Sequence, residues 1–127
     1  MKYLCLIYAD EVSREKRSKS ESDKIFDEYV EFTKSVQRNG NYLGANPLQP
    51  TRTATTVRVR NGKTLTTDGP FAETKEQLGG YYLVEAKNLE EAIGIAVRIP
   101  TARFGSIELR PIMELPAQVQ RTLAAVE

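Results

Sequence analysis

Apolar and polar residues change rhythm several times along this chain, and each rhythm implies a different element. Residues 2–9 are apolar on both alternating faces, with Tyr3, Cys5 and Ile7 on one and Leu4, Leu6 and Tyr8 on the other. An antiparallel strand open to water on one side alternates apolar with polar residues, so this run predicts a strand covered on both faces. The polar residues 10–19 predict a loop. Beyond it, Ile25, Tyr29, Phe32 and Val36 recur at helical spacing, and Phe26 and Val30 widen the stripe. Ser20 or Ser22 would cap this helix, and Glu21 and Asp23 favour its N-terminus electrostatically. Gly40 would end it in the left-handed conformation.

Residues 41–50 contain Pro47 and Pro50 and predict a short strand at most. Residues 53–60, rich in Thr, Val and Arg, are followed by Asn61-Gly62 and by a second β-rich run, 63–67. Asn-Gly supplies the two positive φ angles of a type I′ turn, so a hairpin is predicted. Its register pairs Arg60 with Lys63, Val59 with Thr64, Val57 with Thr66 and Thr55 with Asp68. Asp68-Gly69-Pro70-Phe71 breaks the pattern. Thr74 and Gln77 stand at capping-box spacing and predict a short helix that Gly79-Gly80 stops. Residues 81–86 form a second apolar strand. Asn88, with Glu91 three positions on, predicts a second helix with a buried stripe of Leu89, Ala92, Ile93, Ala96 and Val97, ended by Pro100. Residues 106–112 alternate as a last strand. The expected domain is 1–112, and the tail 113–127 would add a frayed helix through Val119, Leu123 and Val126.

The order strand, helix, hairpin, strand, helix, strand predicts an α+β fold. Its expected form is a ferredoxin-like antiparallel sheet with two helices on one face and an inserted β-hairpin. Two helices leave the other sheet face open, yet the first strand is apolar there as well. A second copy of the chain is the simplest cover, so a homodimer is expected.

Composition narrows the function classes. A chain of 127 residues fits one domain. Its net charge of +1 gives no field to gather phosphate backbones, so nucleic acid is not an expected partner. The apolar run 3–9 is too short to cross a bilayer or form a signal-peptide core, and no membrane association is expected. Cys5 has no intrachain partner, which fits a reducing cytoplasm, and its place within the run reads as a small buried apolar group. The sequence has no histidine, the commonest general base near neutrality and the commonest metal ligand. With no metal-ligand cluster and no phosphate-cradling glycine loop, no cofactor is expected.

The candidate chemistry centres on Asp68. It precedes a turn stiffened by Gly69-Pro70, with Phe71 as an apolar wall and Lys75 as a nearby charge. A carboxylate held beside an apolar wall can have a raised pKa and serve as acid or base. The same residues are also turn chemistry, in which Asp accepts backbone amides and Gly-Pro fixes the chain. Asp68 is thus the catalytic candidate, with Tyr8, Phe71, Lys75 and Tyr82 as ligand-binding candidates. Arg52, Arg58, Arg98, Arg103 and Arg110 are scattered enough to read as a solvated or ion-paired face.

The segment 68–76, Asp-Gly-Pro-Phe-Ala-Glu-Thr-Lys-Glu, resembles the DGPF-domain branch of the YCII-related proteins. The opening Met1-Lys2-Tyr3-Leu4 run ending in Tyr8, the exit Leu78-Gly79-Gly80-Tyr81 and the closing Gly105 to Pro111 agree. The resemblance implies a dimeric α/β-barrel fold. It implies little about activity, since the family is largely uncharacterised and its members are often encoded beside extracytoplasmic-function sigma factors. A His–Asp pair suggested for the wider group has no histidine here to carry it, leaving Asp68 alone. Two function readings stay open. One is a binder or enzyme for a small metabolite at an Asp68 cleft; the other is a non-catalytic accessory or regulatory protein that binds a protein partner.

Overall fold

The computed structural model describes residues 1–125. Along the chain run β1 (Lys2–Ala9), α1 (Glu11–Glu15), α2 (Lys19–Arg38), β2 (Tyr42–Pro47), β3 (Thr55–Arg60), β4 (Lys63–Asp68), β5 (Gln77–Glu85), α3 (Leu89–Ala96), β6 (Ser106–Pro111) and α4 (Ala117–Ala124). Short 3-10 turns lie at Thr51–Thr53 and Pro100–Arg103. The molecule is an α+β fold: a four-stranded antiparallel sheet in the order β2-β5-β1-β6, helices, and a β3-β4 hairpin forming a sheet of its own.

The sheet's centre is apolar because β1 and β5 are. Tyr3, Cys5 and Ile7 of β1 and Tyr82 and Val84 of β5 are buried together with Phe32 and Val36 of α2, Ala92 and Ile95 of α3, and Ile99. Full burial of a side chain such as Val36 or Ile99 stabilises by about 1.5–3 kcal/mol. Helices α2 and α3 therefore serve one face. On the other face Leu4, Leu6, Tyr8, Tyr81 and Leu83 are half-buried within the single chain.

The hairpin follows its expected register residue by residue, from Arg60↔Lys63 to Thr55↔Asp68. Asn61 and Gly62 have φ of 52° and 75°, as a type I′ turn demands. Gly40, at φ 77°, closes α2 as expected. Other local expectations needed correction. Residues 10–19 are not only loop: Asp10 caps α1 by accepting the Val12 amide. The cap of α2 is Ser18, whose hydroxyl accepts the Glu21 amide, rather than Ser20 or Ser22.

No helix forms at 74–80. Thr74 Oγ1 donates to Glu76 O and Gln77 Nε2 to Thr74 O, a local turn network that competes with helix. Gly79 and Gly80 instead lie inside β5, and a Cβ on Gly80 would sit 3.0 Å from Asn46 O of β2. Gly80 thus admits a neighbouring strand rather than ending a helix. Pro47 is tolerated because it closes β2, an edge strand.

In α3, Asn88 Oδ1 accepts the Glu91 amide at 2.9 Å, as the capping pattern required. The buried stripe differs from expectation: it is Ala92, Ile95 and Ala96, continued by Ile99. Small Ala92 and Ala96 let the helix backbone approach the sheet. Leu89, Ile93 and Val97 are left on the outer side, 51%, 47% and 63% exposed. The tail does form a helix, α4, with Val119 and Leu123 exposed; Val126 lies outside the described residues.

Candidate functional site

A large concavity lies between α2 and the helix-facing side of the sheet. The core stripe of α2, Phe32 and Val36, lies in its C-terminal half, and the N-terminal half overhangs a space floored by β1, β2 and β5. The cleft holds about 1080 Å³, at the upper end of the range for ligand pockets. Ile25, Phe26, Tyr29, Val30 and Thr33 of α2 form one wall, Ile7, Tyr42, Ala45 and Tyr82 the floor, and Leu48 and Phe104 part of the rim.

Hydroxyl groups are set into this apolar lining by specific partners. Thr33 Oγ1 donates to Tyr29 O at 2.8 Å, which uses its single proton. At the 2.6 Å contact between Thr33 Oγ1 and Tyr82 OH, the tyrosine is therefore the donor. The Tyr82 oxygen keeps acceptor capacity only. Deeper along the wall, Tyr29 OH meets Thr101 Oγ1 at 2.5 Å, and Thr101 is only 7% exposed. The rings are fixed by one another: Phe32 and Tyr42 stand edge-on to Tyr82 at 5.1 and 6.4 Å.

Electrostatics differ along the cleft. Burial pushes the Tyr29 phenol up, while its Thr101 hydrogen bonds and the positive fields of Arg14 and Arg17 pull it down. Burial likewise raises the Tyr82 phenol, against the hydrogen bond with Thr33. The acids at the mouth are already engaged. Glu11 accepts the Thr51 amide and hydroxyl at 2.9 and 3.0 Å, Asp10 caps α1, Glu15 pairs with Arg52, and Asp23 with Lys19.

The residues singled out from the sequence are dispersed. Tyr82 lines the cleft. Tyr8 points to the opposite sheet face, where burial and the Glu108 carboxylate push its phenol up against Arg110. Asp68 is exposed at the end of β4, opposite Thr55. Its loop is tied back by the Gly69 amide to Ala54 O at 2.7 Å and the Thr56 hydroxyl to Gly69 O at 2.9 Å. Phe71 is 78% exposed and Lys75 is exposed as well. Of the five candidates only Tyr82 lines the cleft; Asp68, Phe71, Lys75 and Tyr8 do not.

Of the arginines set aside, Arg103 forms a bidentate pair with Glu28 at 2.6 and 2.8 Å, and Arg98 lies over the Phe32 ring. The sequence reading missed Thr33, Thr101, Arg14 and Arg17 at the cleft and took Tyr29 for core alone. A signal was present in Tyr29 and Thr33, one turn apart on an otherwise apolar stripe and both carrying hydroxyls. Among the described residues no three His, Cys, Asp or Glu side chains converge as a metal site, and no helix is long and apolar enough to cross a membrane.

Comparison with known proteins now adds a family. Residues 1–116 match the model of the YCII-related domain. The chain belongs to the YCII-related family. Within it, the protein is similar to an uncharacterized protein of Rhizobium meliloti (strain 1021), 37% identical over 114 residues that cover 88% of this chain and 92% of the relative. The family match ends at Pro116, the residue before α4.

Proposed function

We propose that this YCII-related protein is a homodimer that binds a small molecule in the cleft between α2 and the sheet. The observation that carries the reading is the cleft itself: about 1080 Å³, apolar in its walls and fitted with oriented hydroxyls from Tyr29, Thr33, Tyr82 and Thr101. Few convergent polar groups in an apolar concavity are the usual make-up of a small-molecule site.

The strand order β2-β5-β1-β6 supports a ferredoxin-like arrangement, in which the first and third core strands are central. The half-buried apolar face of Leu4, Leu6, Tyr8, Tyr81 and Leu83 is the surface proposed for the second copy, as in a dimeric α/β barrel of the DGPF branch. The ligand cleft and the dimer face are then on opposite sides of one sheet, in a protein proposed to work in the cytoplasm.

A thermal-shift screen against a broad metabolite panel tests the reading, because a ligand of the folded state raises its stability by mass action. Hits are expected to perturb amide resonances of 25–37 and 79–82. Hits that map only to the hairpin, or none at all, would count against the cleft.

A second reading gains from the exposure of Phe71 together with Val57, Val59 and Leu65 of the hairpin. Here the Asp68-Gly69-Pro70-Phe71 loop, with Lys75, is a contact surface for a protein partner, as an accessory or regulatory role requires. Asp68 then fixes the loop and faces that partner. Any catalysis at Asp68 would proceed without a histidine, since the chain has none.

A further inference from the structure

We infer that the cleft selects anionic aromatic ligands, a small ring system carrying a carboxylate, with the carboxylate held by Arg14 and Arg17. This rests on the cleft being the ligand site and names the class of molecule it takes. The charges at the mouth are formally balanced, since Asp10, Glu11, Glu15 and Asp23 face Arg14, Arg17, Lys34 and Arg52. Their availability is not balanced. Each acid is committed to a cap, to Thr51 or to a lysine or arginine, as described above. Arg52 is spent on Glu15, and Lys34 stands 3.8 Å from Glu31. Among the described residues, Arg14 and Arg17 have no carboxylate within ion-pair distance.

The two guanidinium groups are also placed for a ligand. Arg17 lies over the Phe104 ring, 4.6 Å from its centroid, and among the described residues its guanidinium has no carboxylate partner. The fields of both arginines reach the Tyr29 hydroxyl, which is itself anchored by buried Thr101. An anion entering here meets two cations and a phenol, while its apolar body lies against Phe26, Val30, Tyr42 and Leu48. At the far polar point, Tyr82 offers an acceptor only, which favours a ring bearing a hydroxyl or amino donor. Arg14 is exposed and Arg17 half-buried, so the carboxylate is held by charge-assisted hydrogen bonds at the cleft mouth while its ring fills the apolar interior.

Hydroxynaphthoate and its uncharged carboxamide form a matched pair of probes, titrated into the full-length protein and followed by amide chemical shifts. The acid is expected to bind about tenfold more tightly than the amide, to lose that preference in the R14A/R17A double variant, and to weaken as salt is raised. Shifts should fall on residues 14–17, 29–33 and 82. Equal binding of acid and amide within the cleft would overturn the anion inference and leave the cleft as a ligand site. Failure of both probes to shift cleft amides would overturn the inference and count against the cleft as well. Acetate, which lacks the apolar body, is expected to bind at least tenfold more weakly than the naphthoate; equal affinity would show that the arginines act without the cleft.

Discussion

The hydroxyl of Tyr82 on β5 donates to Thr33 Oγ1 on α2 across 2.6 Å, tying the sheet floor to the overhanging helix. Replacing Tyr82 by Phe keeps the edge-on packing against Phe32 and Tyr42 and removes only this bond. The expected loss is about 1 kcal/mol in urea denaturation, with the fold intact and binding of hydroxyl-bearing ligands weakened. An unchanged midpoint would mean that the bond contributes nothing to holding α2 over the sheet.

Cys5 is fully buried on β1, and burial pushes its thiol up to about 11. The unfolded thiol ionises near 9.0, so between 9.0 and 11 the unfolded state carries fewer protons than the folded state. Stability from this group is therefore complete below pH 9 and declines as pH rises toward 11, by about 2–3 kcal/mol. Subtracting the pH profile of Cys5→Ala from that of the wild type isolates the effect from the tyrosines. A flat difference would show that the thiol titrates normally.

Gly105 is a packing residue. A Cβ there would collide with Tyr8 O of β1 and lie 2.9 Å from Thr101 Cγ2. Gly105→Ala is expected to destabilise by about 1–3 kcal/mol, as an overpacked site does, and to disturb the Tyr29–Thr101 hydrogen bond. Calorimetric melting and the loss of naphthoate binding would report the two effects separately.

How far the sequence reveals these features depends on how local their causes are. β1, the body of α2, the β3–β4 register and the Asn88 cap were all legible, because each is set by neighbours within one turn or one hairpin. The helix expected at 74–80 failed because Gly79 and Gly80 lie inside β5 and Gly80 makes room for β2, a strand distant in sequence, which local spacing does not show. The α3 stripe was ambiguous for a related reason. Two apolar stripes share one short helix, and only the sheet decides that Ala92, Ile95 and Ala96 turn inward. The cleft was hidden because α1 and α2 must be placed over β2 and β5 before Arg14, Tyr29 and Tyr82 become neighbours. Asp68 stood out in the sequence for its motif, and residues 68–76 are mostly exposed and do not line the cleft.

The dimer proposal makes a direct prediction about the open sheet face. A stable contact through Leu4, Leu6, Tyr81 and Leu83 would bury on the order of 2,000 Å² in total. Leu6→Lys should convert a dimer to a monomer in light scattering while the helix-side core, built on Tyr3, Cys5 and Ile7, stays folded. A wild-type protein that is monomeric at micromolar concentration would rule the contact out.

Gly62→Val tests the hairpin. Gly62 has φ of 75°, which a β-branched residue resists. Because β3 and β4 share no ladder with the main sheet, hydrogen-exchange protection should fall across Thr55 to Asp68 and persist in β1 and β5. Global loss of protection would show that the hairpin is integral to the core.

That separation has an evolutionary side. A substitution in β3 or β4 changes a surface without repacking the sheet, because its side chains are exposed apart from half-buried Thr56. Natural selection can therefore redraw the hairpin, and with it whatever the chain touches there, at little risk to folding. The core strands have no such freedom: a change at Cys5 or Val84 is felt in the core shared with α2 and α3. The chain thus pairs a slow-changing frame with a fast-changing arm, and divergence among relatives is expected to concentrate in the arm.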